Sequence, residues 1–124
     1  MKFLKVLALS LFLVAPAAAF AEVRLLMGEQ AGCAWCARWH KEIGPIYPKT
    51  EVGRVAPLWV ADIRQPMPDG VTLKRPITFT PTFVLLDDGN EVLRLEGYPG
   101  EDFFWGLIES ALTNQGYMEA EPKS

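Results

Sequence analysis

Histidine and cysteine are almost missing from this 124-residue chain, which has one histidine, His40, and two cysteines, Cys33 and Cys36. A closed structural zinc site takes four ligands, mostly cysteine or histidine. Only three are present, so a fourth would have to be a carboxylate or Met27. Covalent haem attachment needs a histidine directly after the second cysteine, and that residue is Ala37. Basic runs are also absent: twelve Lys and Arg are dispersed among fifteen Asp and Glu, for a net charge of −3. That balance argues against a nucleic-acid partner. The apolar run Val6 to Val14, interrupted by Ser10, is short for a membrane span of about 18 residues or more, with an uncleaved anchor as the alternative. The chain has no repeats, no low-complexity tract and no interdomain linker.

What is present begins with Met1-Lys2-Phe3-Leu4-Lys5, a short basic start ahead of that apolar run. Ala19-Phe20-Ala21 fits the small-x-small rule for signal cleavage, so residues 1–21 are expected to be an export signal cut before Glu22. The remaining 22–124 suit one compact domain, expected to be monomeric, with ten basic and fifteen acidic residues once Lys2 and Lys5 are removed. Export places the cysteines in an oxidising compartment.

The two cysteines stand as Cys33-Ala34-Trp35-Cys36. Closing a loop of about four residues restricts an unfolded chain by only roughly 2 kcal/mol. The pair is poorly placed to be a staple and well placed to open and close. Val23 to Met27 reads as a short strand, Gly28 to Gly32 as a polar turn, and the residues after Cys33 as a helix with an apolar stripe of Cys36, Trp39 and Ile43. Cys33 then lies at a helix N-terminus, where the dipole and free N–H groups favour a thiolate. It is the expected exposed nucleophile, and Cys36 the more buried resolving thiol. Trp35 has little core to enter and is a candidate substrate-contacting aromatic, whereas Trp39, Trp59 and Trp105 suit the core. Tyr98 suits hairpin packing. His40 follows Cys36 by one helical turn; it reads as a partly buried helix residue or, more sharply, as an influence on the Cys36 proton. Glu29 and Asp62 read as solvated carboxylates, with proton relay as the alternative.

Further along, Pro45 and Pro48 are expected to interrupt regular structure, and Pro57 to Ile63 to form a second strand. Arg64 to Pro76 reads as irregular, with a short helix around Gly70 to Lys74. Thr82 to Leu86 and Glu91 to Glu96 read as strands around the turn Asp87-Asp88-Gly89-Asn90. Glu101 to Asn114 reads as a helix burying Phe104, Leu107, Ile108, Ala111 and Leu112, with Gly116 as its stop. Strand, helix, strand, hairpin, helix predicts an α/β fold: a small mixed sheet with helices on both faces.

This arrangement resembles the thioredoxin superfamily over nearly all of residues 22–124. The resemblance rests on Cys33-Ala34-Trp35-Cys36 opening the first helix, Thr80-Pro81 opening the hairpin and Gly97 closing it. It implies a cis peptide bond at Pro81, with Thr80 and Pro81 facing Cys33 as substrate-binding residues. The aspartate that thioredoxins keep six residues before the first cysteine is Met27 here. A narrower resemblance lies in Gly32 to His40, Pro45-Ile46-Tyr47-Pro48, Ala56-Pro57-Leu58 and Gly97 to Trp105. These segments look like the SoxS-type periplasmic thioredoxins of bacterial sulfur-oxidation clusters. That resemblance implies a periplasmic reductase acting on the cysteine of a sulfur-carrier protein, with electrons from a membrane thiol transporter.

The expected chemistry is thiol–disulfide exchange, with no cofactor beyond the redox-active Cys33–Cys36 disulfide and no metal. Cys33 attacks a protein disulfide or mixed disulfide, and Cys36 resolves the adduct. Two alternatives stay open. A disulfide oxidase or isomerase would use the same cysteines at a higher potential. A copper-delivery module would use Cys33, Cys36 and His40 as ligands.

Overall fold

The computed structural model describes residues 13–15 and 22–120. The expected export signal lies outside the described residues, except for 13–15, which carry no regular structure. Its elements are β1 (Val23–Glu29), α1 (Ala34–Glu42), a single 3₁₀ turn (Tyr47–Lys49), α2 (Glu51–Val55), β2 (Leu58–Asp62), β3 (Thr82–Asp87), β4 (Asn90–Glu96) and α3 (Glu101–Asn114).

The four strands form one mixed sheet in the order β2-β1-β3-β4. β1 and β2 are parallel, as the helical crossover between them requires, with Leu25 opposite Leu58, Met27 opposite Val60 and Glu29 opposite Asp62. β3 runs antiparallel to both β1 and β4. Side chains alternate between faces along a strand, so Leu25 and Met27 share one face with Phe83 and Leu85, and Leu26 shares the other with Val84 and Leu86.

The first face carries the larger core. Trp39 is fully buried there, with its ring 5.3 Å from Phe83 and 5.7 Å from Phe104. Truncating a ring so enclosed typically costs about 3–5 kcal/mol. Cys36 and Trp39 of α1, Ile43 at its C-cap, Val52 of α2, and Phe104, Ile108 and Leu112 of α3 all join this cluster. The mixed sheet is therefore as expected, but the division of helices between its two faces is not. The helices gather on one face. The other is covered by Ile63, Met67, Val71, Leu73 and Ile77 from the segment between β2 and β3.

That segment is not helical, and the short helix expected around Gly70 to Lys74 is absent. Pro66, Pro68 and Pro76 remove donors and fix backbone angles. Thr72 instead lies alongside the hairpin: its N–H donates to Gly89 O at 2.8 Å, and its carbonyl accepts from Glu91 N at 3.1 Å. Arg94 holds the end of the segment, donating to Arg75 O at 2.6 Å and Pro76 O at 3.2 Å. Leu107 also departs from expectation. It is 44% exposed, at the rim of a hollow it shares with Leu95, Gly97 and Pro99.

The helical pieces between α1 and β2 were not expected. Pro48 sits in the first turn of its 3₁₀ segment, where a missing N–H costs nothing. Thr50 caps α2 by accepting from Gly53 N at 3.0 Å. Tyr47 locks the pair in place: it is buried, donates its hydroxyl to Ala56 O at 2.7 Å, and stacks on Trp105. Burial pushes its phenol well above the usual tyrosine range.

Candidate active site

β1 delivers the chain to the C-terminal edge of the sheet, and Gly32 turns it with φ +81° into α1. Cys33 is the N-cap of α1. Its backbone is extended, and its sulfur accepts from Cys36 N at 3.1 Å. The sulfur thus meets one of the helix's unpaired N–H groups, at the end where the dipole favours negative charge. Cys33 and Cys36 are joined as a disulfide with Cα atoms 5.2 Å apart. Cys33 is half-buried, whereas Cys36 is only 3% exposed and belongs to the core. The two sulfurs therefore differ in access.

Trp35 is 53% exposed. The Arg38 guanidinium lies 5.4 Å from its ring centroid, and Arg38 also pairs with Glu42 on the next turn. Glu42 accepts a further hydrogen bond from the Tyr98 hydroxyl at 2.7 Å. The Arg38 and Tyr98 hydrogen bonds hold the Glu42 carboxyl below its ordinary range. Burial, then Glu42, push the Tyr98 phenol up. Tyr98 thus ties the end of the hairpin to α1, beyond packing alone.

The Thr80–Pro81 peptide bond is cis. Thr80 is half-buried and Pro81 buried. Pro81 O accepts from Gly97 N at 2.7 Å, which fixes this corner to the end of β4. Thr80 Oγ1 accepts from the Gln30 side chain at 3.0 Å. Sequence reasoning missed Gln30. It lies in the loop before Cys33, with no pattern to distinguish it from any other polar loop residue. Its amide bridges the cysteine loop to the corner at Thr80.

A groove of about 620 Å³ opens beside the disulfide, lined by Glu29, Gln30, Cys33, Cys36, His40 and Asp62 among others. β1 runs two residues further than expected, so Glu29 is a strand residue opposite Asp62, not part of the turn. His40 Nε2 lies 2.5 Å from Glu29 Oε2. The copper-delivery alternative needs His40 beside both sulfurs; its Nε2 is engaged by Glu29 instead. Among the described residues no three Cys, His, Asp or Glu side chains are grouped to hold a metal.

Among solved structures, the chain is similar to a crystal structure of the periplasmic thioredoxin SoxS from Paracoccus pantotrophus in its reduced form. The two are 54% identical with a TM-score of 0.74, over 76% of this chain and 99% of that one. No family model and no curated protein sequence matches the chain.

Proposed function

We propose, from the premise that this chain belongs to the SoxS-type periplasmic thioredoxins and is a thiol–disulfide oxidoreductase, that it works in the periplasm as a reductase of protein disulfides. Its substrate is the cysteine of a sulfur-carrier protein, freed from mixed disulfides. Its electrons come from a membrane thiol transporter. The observation that carries this reading is the unequal pair of sulfurs: Cys33 capping α1 at the groove, Cys36 buried one turn behind it.

The Cys33 thiolate attacks one sulfur of the substrate disulfide. One substrate thiolate leaves, and a mixed disulfide forms. Cys36 then attacks the Cys33 sulfur, the second substrate thiol leaves, and the Cys33–Cys36 bridge closes. The substrate gains two electrons and the enzyme loses two. Trp35, the residue just before Cys36, offers an exposed ring. Thr80 and Pro81 offer a backbone edge for the substrate chain, held in place by Gln30 and Gly97.

The test is capture with Cys36→Ser in the native periplasm, together with a glutathione redox titration of the unmodified protein. The expected results are a small set of adducts through Cys33 that includes the sulfur carrier, and a potential nearer about −270 mV than about −120 mV. A potential at the oxidising end would make the protein an oxidase or isomerase. Capture of many unrelated secreted proteins without the carrier would make it a general thiol reductase.

A further inference from the structure

Cys36 presents a chemical problem. To resolve a mixed disulfide it must lose a proton, yet its side chain is 3% exposed. Burial in apolar surroundings disfavours a thiolate. Its core neighbours include Met27, which is fully buried and cannot accept a proton. An acceptor must therefore reach Cys36 from the groove.

Among the described residues, the titratable side chains lining that groove are Glu29 from β1, Asp62 from β2, His40 and Cys36 from α1, and Cys33 at the N-cap of α1. Glu29 stands two residues beyond Met27 on the same strand, so both side chains leave the same face of the sheet, the face covered by α1. It is the first polar side chain that face offers after the apolar run. His40 follows Cys36 by four residues on α1, so the two stand one above the other on the helix surface. The His40 ring rests edge-on against Trp39, with centroids 5.4 Å apart. Its Nε2 meets Glu29 Oε2 at 2.5 Å. That contact engages one carboxylate oxygen and leaves the other for the groove. Neither partner is fully exposed: 30% for the Glu29 side chain and 41% for that of His40.

We propose that Glu29 accepts the Cys36 thiol proton in the resolving step, through water in the groove, and that His40 is the positioning residue that aims it. His40 donates from Nε2 to Oε2 and fixes the carboxylate, as a charge-assisted hydrogen bond does. The second oxygen takes the proton as the Cys36 sulfur attacks Cys33. The Cys33–substrate S–S bond breaks, the Cys33–Cys36 bond forms, and the leaving thiolate carries away the electron pair. The proton on Glu29 then returns to solvent or to that thiolate. On re-reduction the same carboxyl gives a proton back to Cys36. This inference rests on the assignment of Cys33 as nucleophile and Cys36 as resolving thiol.

The reaction of the reduced protein with dithionitrobenzoate separates the two steps. Attack by Cys33 releases a first thionitrobenzoate, and attack by Cys36 on the adduct releases a second. Stopped-flow absorbance follows both between pH 5 and pH 9. In the unmodified protein the second phase is expected to level off toward the middle of that range instead of falling tenfold per pH unit. Glu29→Gln should slow the second phase about a hundredfold near pH 6, the lower end of what a positioned base contributes. It should restore the tenfold-per-unit dependence and leave the first phase within about twofold. His40→Leu should slow the second phase less, by about tenfold, and His40→Gln, which keeps a donor, should recover most of the rate. Equal slowing of Glu29→Gln at every pH would show a structural role only and overturn the proposal. So would loss of the plateau in Asp62→Asn but not in Glu29→Gln. If instead a Cys33→Ser variant releases the first equivalent normally, the nucleophile assignment itself has failed, and the two failures are told apart by phase.

Discussion

Arg94 offers the sharpest test of how the far face of the sheet is held. Its guanidinium donates from Nε to Glu91 Oε1 at 2.8 Å and from Nη2 to Glu91 Oε2 at 2.9 Å. Both side chains are nearly inaccessible, at 6% and 3% exposed. Glu91 Oε2 also accepts from Lys74 N at 2.8 Å. Arg94→Met keeps much of the stem but leaves a buried carboxylate with one backbone donor. Removing one partner of such a pair costs about 3–5 kcal/mol. The carbonyls of Arg75 and Pro76 lie at the surface, where water replaces the lost donor and adds little. For a domain of about 100 residues, roughly 4 kcal/mol lowers Tm by about 16–30 °C. Urea unfolding of the oxidised protein, followed by tryptophan fluorescence, should show a lower midpoint with an unchanged slope. Glu91→Leu with Arg94→Leu should lose less than Arg94→Met alone, because no charge is stranded. The acid limb carries a sign. Burial pushes the Glu91 carboxyl up, but the Arg94 hydrogen bonds and then the Lys74 amide outweigh it, and it lies below its ordinary value of 4.5. Its stabilisation is complete above that value and is lost as pH falls through the lowered one. The gap between the unmodified protein and Glu91→Gln should therefore close in acid. A loss below about 1 kcal/mol for Arg94→Met, the worth of a surface pair, would refute this reasoning.

Two further perturbations probe the packing around the site. A Cβ on Gly53 would stand 1.9 Å from the Tyr47 carbonyl oxygen, a backbone atom that cannot step aside. Gly53→Ala should therefore cost at least the roughly 1–3 kcal/mol of overpacking in the same urea assay; a loss under about 0.5 kcal/mol would mean α2 shifts freely. Tyr117 donates its hydroxyl to Asp87, and burial, then that contact, push its phenol up to about 12. A raised value stabilises fully below the unfolded value of about 10 and is lost as pH rises toward 12. Tyr47 and Tyr98 are raised as well, so absorbance titration at 295 nm should find no tyrosine ionising at about 10. Tyr117→Phe should remove the first of the late steps, and the variant should lose less stability between those limits.

Where a local pattern sufficed, the sequence was legible. The strands of Val23 to Met27 and Thr82 to Leu86, the helix Glu101 to Asn114, and the capping place of Cys33 come from alternation, spacing and end signals. The helices on one face did not, because which side of a sheet a helix covers is decided by its partners and not by its own period. α2 is too short to show a period, and its stability rests on Thr50 and on the Tyr47 hydroxyl. Glu29 reads as a turn residue because a glycine precedes it. Gly28 is instead a strand residue kept small by Ile77 and Ile63, which a Cβ would meet at 2.9 and 3.1 Å. Two more residues of strand change Glu29 from a loop carboxylate into the partner of His40.

Cys33 is at once half of the disulfide and the cap of its helix. Reducing the disulfide removes one covalent bond and leaves that cap in place, since the Cys36 amide that donates to the Cys33 sulfur donates better to a thiolate. α1 can therefore begin at the same residue before and after turnover. The start of α1 then carries no signal of redox state, and a partner protein that docks there would have to tell the two states apart by the covalent step. Traffic through the site is then sorted by the speed of the covalent step.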